Sequence, residues 1–371
     1  MLALHRWCGL FLSLNMLVFC LTGMVLIFRD EIDAALGVVP QASHGSTQIS
    51  LATAVASARK HSPSANPVYV ARFDDHPGIV FVGMAQGHRK LEGSTPLAVD
   101  SQTGKVLGTP DFENSFTGVV FHLHAELLAG PVGRLLVGAI GLALLVTLVT
   151  GAVVYGPLMK RFTFGLLRRG RHRRVLFADL HKLLGAASFG WTLTVTVTGI
   201  LLSLASTLLQ VYAMTELAAL AAPYAKEAPI EDVSTLDAAV RNAEQRSGRQ
   251  AGTVLLPGSD LSSPRHYAVL LTGNQGLDKR VFTMGLVDAK DPSVFTEKQL
   301  PWYLRMILVS EPLHFGDYGG YPLKLLWVVF SCATTFMAGS GVYMFWVTRR
   351  HHASRDRVQP LDTEAAEVGA E

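Results

Sequence analysis

The sequence predicts a polytopic α-helical membrane protein: four transmembrane helices arranged as two parallel repeats, with two α+β domains on the outer side. Three observations carry that expectation. Hydrophobic residues make up 49% of the 371-residue chain and charged residues only 16%, a balance that belongs to the membrane class. Four stretches, Trp7 to Phe28, Leu135 to Met159, Leu183 to Thr215 and Leu325 to Thr348, contain no Asp, Glu, Lys or Arg. Each reaches the roughly 20 residues a bilayer-crossing helix requires, and backbone groups in lipid must bond within their own segment. Finally, short motifs recur at fixed offsets in the two halves of the chain.

The first span, residues 4–30, closes on Ile27-Phe28-Arg29-Asp30-Glu31 with no small-residue cleavage site. It therefore reads as a retained span and not a secretory signal. Residues 32–130 hold the first outer domain and an interfacial segment. Apolar spacing predicts a helix over Ile49 to His61 with Ser50 as N-cap, then strands over Pro67 to Phe73 and Gly78 to Ala85. A strand pair follows around Pro96 to Asp100 and Lys105 to Leu107, joined by the turn Ser101-Gln102-Thr103-Gly104. The second span covers 131–158. After it, the loop 159–178 carries Lys160, Arg161, Arg168, Arg169, Arg171, Arg173 and Arg174 with no acid before Asp179, which places it in the cytosol.

The third span covers 179–214, and 216–318 form the second outer domain. There a helix is expected over Ser234 to Arg246 and strands over Thr253 to Leu256 and His266 to Leu271, with a less regular remainder. The fourth span, 320–348, leads into a tail, 349–371, that opens on Arg349-Arg350. Both termini are thus expected in the cytosol, and the outer side is the periplasm if the membrane is a bacterial inner membrane. The net charge of +3 is no more than this loop bias. It argues for contact with anionic lipid and for no nucleic-acid role. Cys8, Cys20 and Cys332 all lie in spans, so the outer segments fold without a disulfide.

The repeat has a definite form. His5 is followed by Gly9 at 4 residues and Thr22-Gly23 at 17 and 18; His181 is followed by Gly185 and Thr198-Gly199 at the same offsets. His124 precedes Thr150-Gly151 by 26 and 27 residues, and His314 precedes Ser340-Gly341 by the same intervals. Each copy brings one histidine to the inner face and one to the outer face. The small residues of the Thr-Gly and Ser-Gly pairs are read first as sites of close helix approach, and a direct chemical role ranks second.

Of 13 histidines, His44, His61, His76, His88 and His266 fall in polar outer stretches, and His172, His351 and His352 among cytoplasmic arginines. These read as solvated surface residues. His5, His124, His181 and His314 differ: each follows a leucine, opens a span and has a counterpart in the other copy. Ionisable residues at the ends of membrane helices are functional candidates. Two axial imidazoles suit a six-coordinate haem built for electron transfer. Pairing by face, His5 with His181 inside and His124 with His314 outside, predicts two b-type haems, each clamped between the copies.

Zinc is the chemical competitor, but it takes three or four protein ligands. Glu126, Glu311 and Asp317 offer carboxylates near the outer histidines, whereas the inner face has only Asp179. His122 stands as an alternative ligand or acceptor-side residue, with an ordinary interfacial histidine as the equal reading. Haem propionates need cationic partners, for which Arg6 and Lys182 inside and Arg29, Arg134 and Lys324 outside are candidates, against a snorkelling role for each. Trp7, Trp191, Trp302, Trp327 and Trp346 are read as an aromatic belt.

These residues bring a family into view. Leu4-His5-Arg6-Trp7 with Thr22-Gly23, Leu123-His124 with Leu127-Leu128 and Gly133-Arg134, Asp179-Leu180-His181-Lys182, and Leu313-His314-Phe315-Gly316 with Gly319-Gly320 resemble the PepSY-associated transmembrane helix family. That family includes iron-regulated membrane proteins and ferric-siderophore reductases. Val99-Asp100-Ser101-Gln102-Thr103-Gly104-Lys105-Val106-Leu107 is similar to the signature that closes a PepSY module. The resemblance covers nearly the whole chain. It implies two PepSY-like outer domains and, as in the siderophore-reducing members, two haems passing electrons outward to a ferric siderophore. Val287-Asp288-Ala289-Lys290-Asp291 departs from the pattern by lacking the Thr-Gly turn.

No glycine-rich nucleotide fingerprint or P-loop is present, so a quinol or a separate cytoplasmic flavoprotein is the expected donor. Reduction of ferric iron weakens its hold on hard oxygen donors and releases the metal. Two other classes fit parts of the sequence: a haem-free PepSY module that binds or senses a partner, and a transporter of iron or its chelate. The transporter reading is weakened by spans that lack charged residues and matched Gly/Pro interruptions.

Overall fold

The computed structural model describes residues 2–43, 48–159, 165–168 and 172–355. His44, the loop residues Lys160, Arg161, Arg169 and Arg171, and the tail from 356 lie outside the described residues. In chain order the helices and strands are α1 (Leu2–Leu26), α2 (Arg29–Ala35), α3 (Leu51–His61), β1 (Ala65–Ala71), β2 (Ile79–Gln86), β3 (Thr95–Asp100), β4 (Val106–Gly108), α4 (Phe116–Glu126), α5 (Gly130–Met159), α6 (Arg173–Ser203), α7 (Ala205–Tyr212), α8 (Ala218–Ala221), α9 (Leu236–Ser247), β5 (Gln250–Leu255), β6 (His266–Thr272), β7 (Phe282–Asp288), β8 (Phe295–Lys298), α10 (Trp302–Phe315) and α11 (Gly320–Arg355). The chain divides into two compact units. One takes residues 1–27, 121–203 and 321–371, and the other 28–120 and 204–320.

The first unit is helical. Its long helices expose apolar side chains over much of their length, Leu14 to 72% and Val329 to 60%, which suits a surface that meets acyl chains and would be costly in water. Helix α5 lies close to α6: a Cβ on Gly138 would come within 2.6 Å of Ser203 Oγ, and one on Gly141 within 2.7 Å of Ile200 Cγ1. Absence of a side chain at both positions lets the backbones approach, as small residues do in membrane bundles. Helix α11 meets α6 through aromatic contacts of Trp191 with Phe330 and of Phe177 with Phe336.

Among the described residues, five helices are long and apolar enough to cross a membrane: Ala3–Leu26, Gly130–Gly156, Arg173–Ser203, Ala205–Tyr224 and Gly320–Val347. The protein is therefore a multi-pass membrane protein with a β-containing part. The fifth candidate arises because the run expected as a single span over 179–214 is broken. Helix α6 stops at Ser203, whose hydroxyl donates to the Ile200 carbonyl at 2.7 Å, and Leu204 follows at φ −96° and ψ −3°, the shallow edge of the right-handed region, before the next helix begins. Beyond it α7 continues through a π-helical turn, Ala213–Leu217, into α8 and a 3-10 turn, Ala222–Tyr224. Hydropathy runs unbroken from Leu183 to Thr215, so nothing in that pattern marked the interruption.

The second unit holds an antiparallel sheet of eight strands in the order β4-β3-β2-β1-β5-β6-β7-β8. Each outer segment supplies one helix followed by four strands, and β1 joins β5 through Tyr69↔Leu255, Val70↔Val254 and Ala71↔Thr253. The segments expected as two domains thus share one sheet and one core. Leu51, Val55 and Ala58 of α3 and Leu236, Ala239 and Ala243 of α9 pack with Val70, Val80, Val99, Val254, Val269 and Leu271. Ser50 caps α3 by accepting the Thr53 N–H at 3.0 Å, the role its position suggested. Asp237 of α9 accepts the Leu51 and Ala52 N–H groups at 2.8 and 3.1 Å, so a carboxylate of one copy holds the N-terminus of the other copy's helix.

The turn after β7 answers the departure seen in the sequence. Asp100 Oδ1 accepts the N–H groups of Gln102 and Thr103 at 2.9 and 2.8 Å. Asp288 Oδ1 accepts those of Lys290 and Asp291 at 2.8 and 3.2 Å. The aspartate makes the same turn in both halves, in the second of them without the Thr-Gly pair.

Candidate functional site

Three of the four span-end histidines lie in the helical unit, and each rests its Nδ1 on an oxygen of another helix. His5 of α1 places Nδ1 3.1 Å from the Thr147 carbonyl of α5. His124 of α4 places Nδ1 2.8 Å from Thr22 Oγ1 of α1, and His181 of α6 places it 3.1 Å from Ser340 Oγ of α11.

The hydrogen-bond network assigns the tautomer. A carbonyl only accepts, so His5 must carry its proton on Nδ1. The single Thr22 hydroxyl hydrogen is directed to the Val18 carbonyl at 2.7 Å; the hydroxyl therefore accepts from His124. The Ser340 hydroxyl likewise donates to the Met337 carbonyl at 3.0 Å and accepts from His181. In the neutral form of each ring this places the lone pair on Nε2, the nitrogen that can coordinate a metal, while the Nδ1–H bond fixes the ring as outer-shell partners of metal-binding histidines do.

Glycines make room for these rings. A Cβ on Gly151 would sit 3.1 Å from His5 Cε1 and one on Gly23 3.2 Å from His124 Cε1, whereas one on Gly341 would stand 3.9 Å from His181 Cε1. Thr22-Gly23, Gly151 and Ser340-Gly341, read first as helix-packing residues, thus also lie against the imidazoles. At His5 the group that meets Nδ1 is the Thr147 carbonyl and not the Thr150 hydroxyl, which donates to the Val146 carbonyl at 2.8 Å.

His5 and His181 belong to the same helical unit and are near enough for their charges to interact. His124 belongs to this unit and His314 to the other, in the last turn of α10 just before Gly316 at φ +69°. Among the described residues no three His, Cys, Asp or Glu side chains converge on a common point. A bare metal ion wants three or four such ligands, whereas a haem brings four nitrogens of its own and asks the protein for two imidazoles.

The cations proposed for propionates are partly committed. Arg134 gives Nε to Glu126 Oε1 at 2.7 Å and Nη2 to the same oxygen, and Arg29 faces Asp33 at 3.5 Å. Glu126 is buried and also meets His122 Nδ1 at 3.3 Å. Burial pushes the Glu126 carboxyl up, but Arg134 and His122 outweigh it and hold it below the usual range. This cluster braces the corner between α4 and α5, where Leu127 and Leu128 adopt φ +50° and +57°. Left-handed geometry at a non-glycine residue costs roughly 1–2 kcal/mol, so the brace offsets real strain. His122 therefore has a structural partner, and Nδ1 is its engaged nitrogen.

Two features escaped the sequence reading. Arg168 grips the buried Asp179 with Nε at 2.9 Å and Nη2 at 2.7 Å, tying the basic loop to a point two residues before His181. The Thr147 carbonyl is the second; a main-chain acceptor leaves no mark in residue type.

The family model for the PepSY-associated TM region matches residues 2–349. The chain belongs to that family. No curated protein is similar enough to the chain to be matched.

Proposed function

We propose that this chain is a transmembrane electron carrier that holds two b-type haems and reduces a ferric chelate of the siderophore class at the outer face of a bacterial inner membrane. His5 and His181 would hold the inner haem, and His124 and His314 the outer one. The observation that carries the reading is shared by His5, His124 and His181: Nδ1 of each meets an oxygen of a neighbouring helix, which assigns it the proton and Nε2 the coordinating role. When bound, the two haems would supply a one-electron path between the faces.

The chain's own residues perform the rest. Thr22, Ser340 and the Thr147 carbonyl orient the rings and raise their basicity, and Gly23 and Gly151 keep the space beside them open. Arg6 and Lys182 inside are the cations suited to propionates. Arg29 and Arg134 outside would have to share their charge with Asp33 and Glu126. At the inner face a quinol or flavoprotein gives up one electron; at the outer face Fe³⁺ accepts it and leaves its hard oxygen ligands as Fe²⁺. Four crossings with both termini in the cytosol agree with the placement of basic residues.

Haem content and reduced-minus-oxidised spectra of the wild type and of His5→Ala, His124→Ala, His181→Ala and His314→Ala test this. About two b-type haems per chain are expected for four axial imidazoles, with one centre lost in each variant and the same centre lost within each face pair. Haem-free wild-type protein would end the proposal, and loss at the opposite face would end the pairing.

A further inference from the structure

We infer that the apolar segment Ala205–Tyr224, together with its neighbour α10, does not cross the bilayer but lies in the outer leaflet's headgroup region as a lipid-binding surface. The argument begins with parity. Strand β1 pairs with β5, so residues 65–71 and 250–255 occupy the same side of the membrane, and the chain between them must cross an even number of times. That stretch contains three helices apolar enough to cross: Gly130–Gly156, Arg173–Ser203 and Ala205–Tyr224. All three cannot do so.

The third is the one to exclude. It has the lowest mean hydropathy of the five candidates and is the shortest, at 20 residues. It is also divided into an α-helix, a π-turn, a second short α-helix and a 3-10 turn. Its own unit already holds one side of it. Tyr212 and Leu217 are buried, the Tyr212 hydroxyl reaches Met284 Sδ of β7 at 3.8 Å, and Tyr303 of α10 donates to Glu216 at 3.5 Å.

The other side is apolar and uncovered. Val211, Met214 and Ala218 follow helical spacing along it and are exposed, Met214 to 79%. On α10, Leu304 and Ile307 are buried while Trp302, Met306 and Val309 form an exposed stripe, Trp302 to 72%. Apolar side chains left exposed on helices whose other face is packed into the protein mark an interaction surface, and a membrane is one such partner. A tryptophan is the side chain favoured at headgroup depth. Continuity names the occupant: Ala205 follows the end of one spanning candidate by two residues, and α10 ends five residues before another begins at Gly320. The nearest apolar phase for both helices is the leaflet their neighbours enter.

The test uses the full chain in phosphatidylethanolamine/phosphatidylglycerol nanodiscs, with Cys8, Cys20 and Cys332 replaced by alanine. A bimane label is placed at Met214→Cys or, separately, at Trp302→Cys, with Glu297→Cys as a water-exposed control. Lipid brominated at carbons 6 and 7 should quench both test labels more than lipid brominated at 11 and 12, and iodide should quench only the control. Stronger quenching from the deeper bromines means a crossing helix and overturns the inference. Iodide quenching equal to the control, or no quenching by either lipid, means water or a second protein copy covers the face and equally overturns it. In sealed vesicles an impermeant maleimide should label Asp75→Cys and Glu297→Cys from one side; labelling from opposite sides would refute the parity argument without recourse to either test label.

Discussion

The seats of His5 and His181 stand at equivalent places in the two copies, yet they solve one problem with different atoms. His5 donates to a main-chain carbonyl and sits hard against Gly151; His181 donates to a serine hydroxyl, and Gly341 stands further off. What the two seats share is a requirement, an acceptor for Nδ1–H and space beside the ring, and not a residue. The two sheet turns teach the same lesson, since Asp100 and Asp288 capture the same two N–H groups although only one copy has Thr-Gly.

That contrast can be broken most sharply at the glycines. Gly151→Ala puts a methyl 3.1 Å from His5 Cε1, tighter than ordinary packing, while Gly341→Ala puts one at a comfortable 3.9 Å. On the two-haem proposal, Gly151→Ala should lose most of the inner haem and Gly341→Ala little of it, as read by haem content per chain. Equal loss would mean that the rings are not seated as described.

A smaller effect is expected from the acceptors. Ser340→Ala removes the partner of His181 Nδ1 and should weaken retention of the inner haem about 10- to 100-fold, the usual effect of deleting an outer-shell partner. Thr147→Ala leaves its carbonyl in place and should change retention little. Haem-transfer titration to apomyoglobin reads both, and a Thr147→Ala defect as large as that of Ser340→Ala would remove the distinction.

The smallest effect concerns the turns. Asp100→Asn and Asp288→Asn should each destabilise the sheet by about 1 kcal/mol, the difference between hydrogen bonds to a charged and to a neutral acceptor. Burial raises both carboxyls, but the N–H groups of Ser43, Thr103 and Gln102 hold Asp100 well below the carboxylate range, and those of Lys290 and Asp291, with Arg265, hold Asp288 below it. Groups depressed in the folded state stabilise it above their unfolded pKa, about 4, and that contribution fades as pH falls through the folded values. Acid unfolding followed by circular dichroism should therefore begin at higher pH in both variants, to a similar extent; a shift in only one would show that the turns are not equivalent.

Local pattern made much of this legible. Ser50 before an apolar helical run gave α3, alternation gave β1 to β3, and leucine-histidine pairs at fixed offsets picked out the four histidines. What stayed hidden depends on partners distant in the chain or on main-chain atoms. The β1–β5 seam joins residues whose own alternation is satisfied by either a shared or a free edge. The break at Leu204 lies inside a run with no charged residue, flanked only by the serines and threonine common in membrane helices, and the Thr147 carbonyl would look the same behind any side chain. The brace of Arg134 on Glu126 was visible only as two charges eight residues apart, with no hint of the left-handed leucines between them.

The β1–β5 seam also bears on how the protein is made. Tyr69 and its partner Leu255 are 186 residues apart, so at roughly 5–20 residues per second the ribosome needs on the order of 10–40 s to deliver the second strand after the first. Throughout that interval the first four strands carry an unpaired edge, a template for wrong pairing. The half-built sheet is the stage of biogenesis most in need of a chaperone.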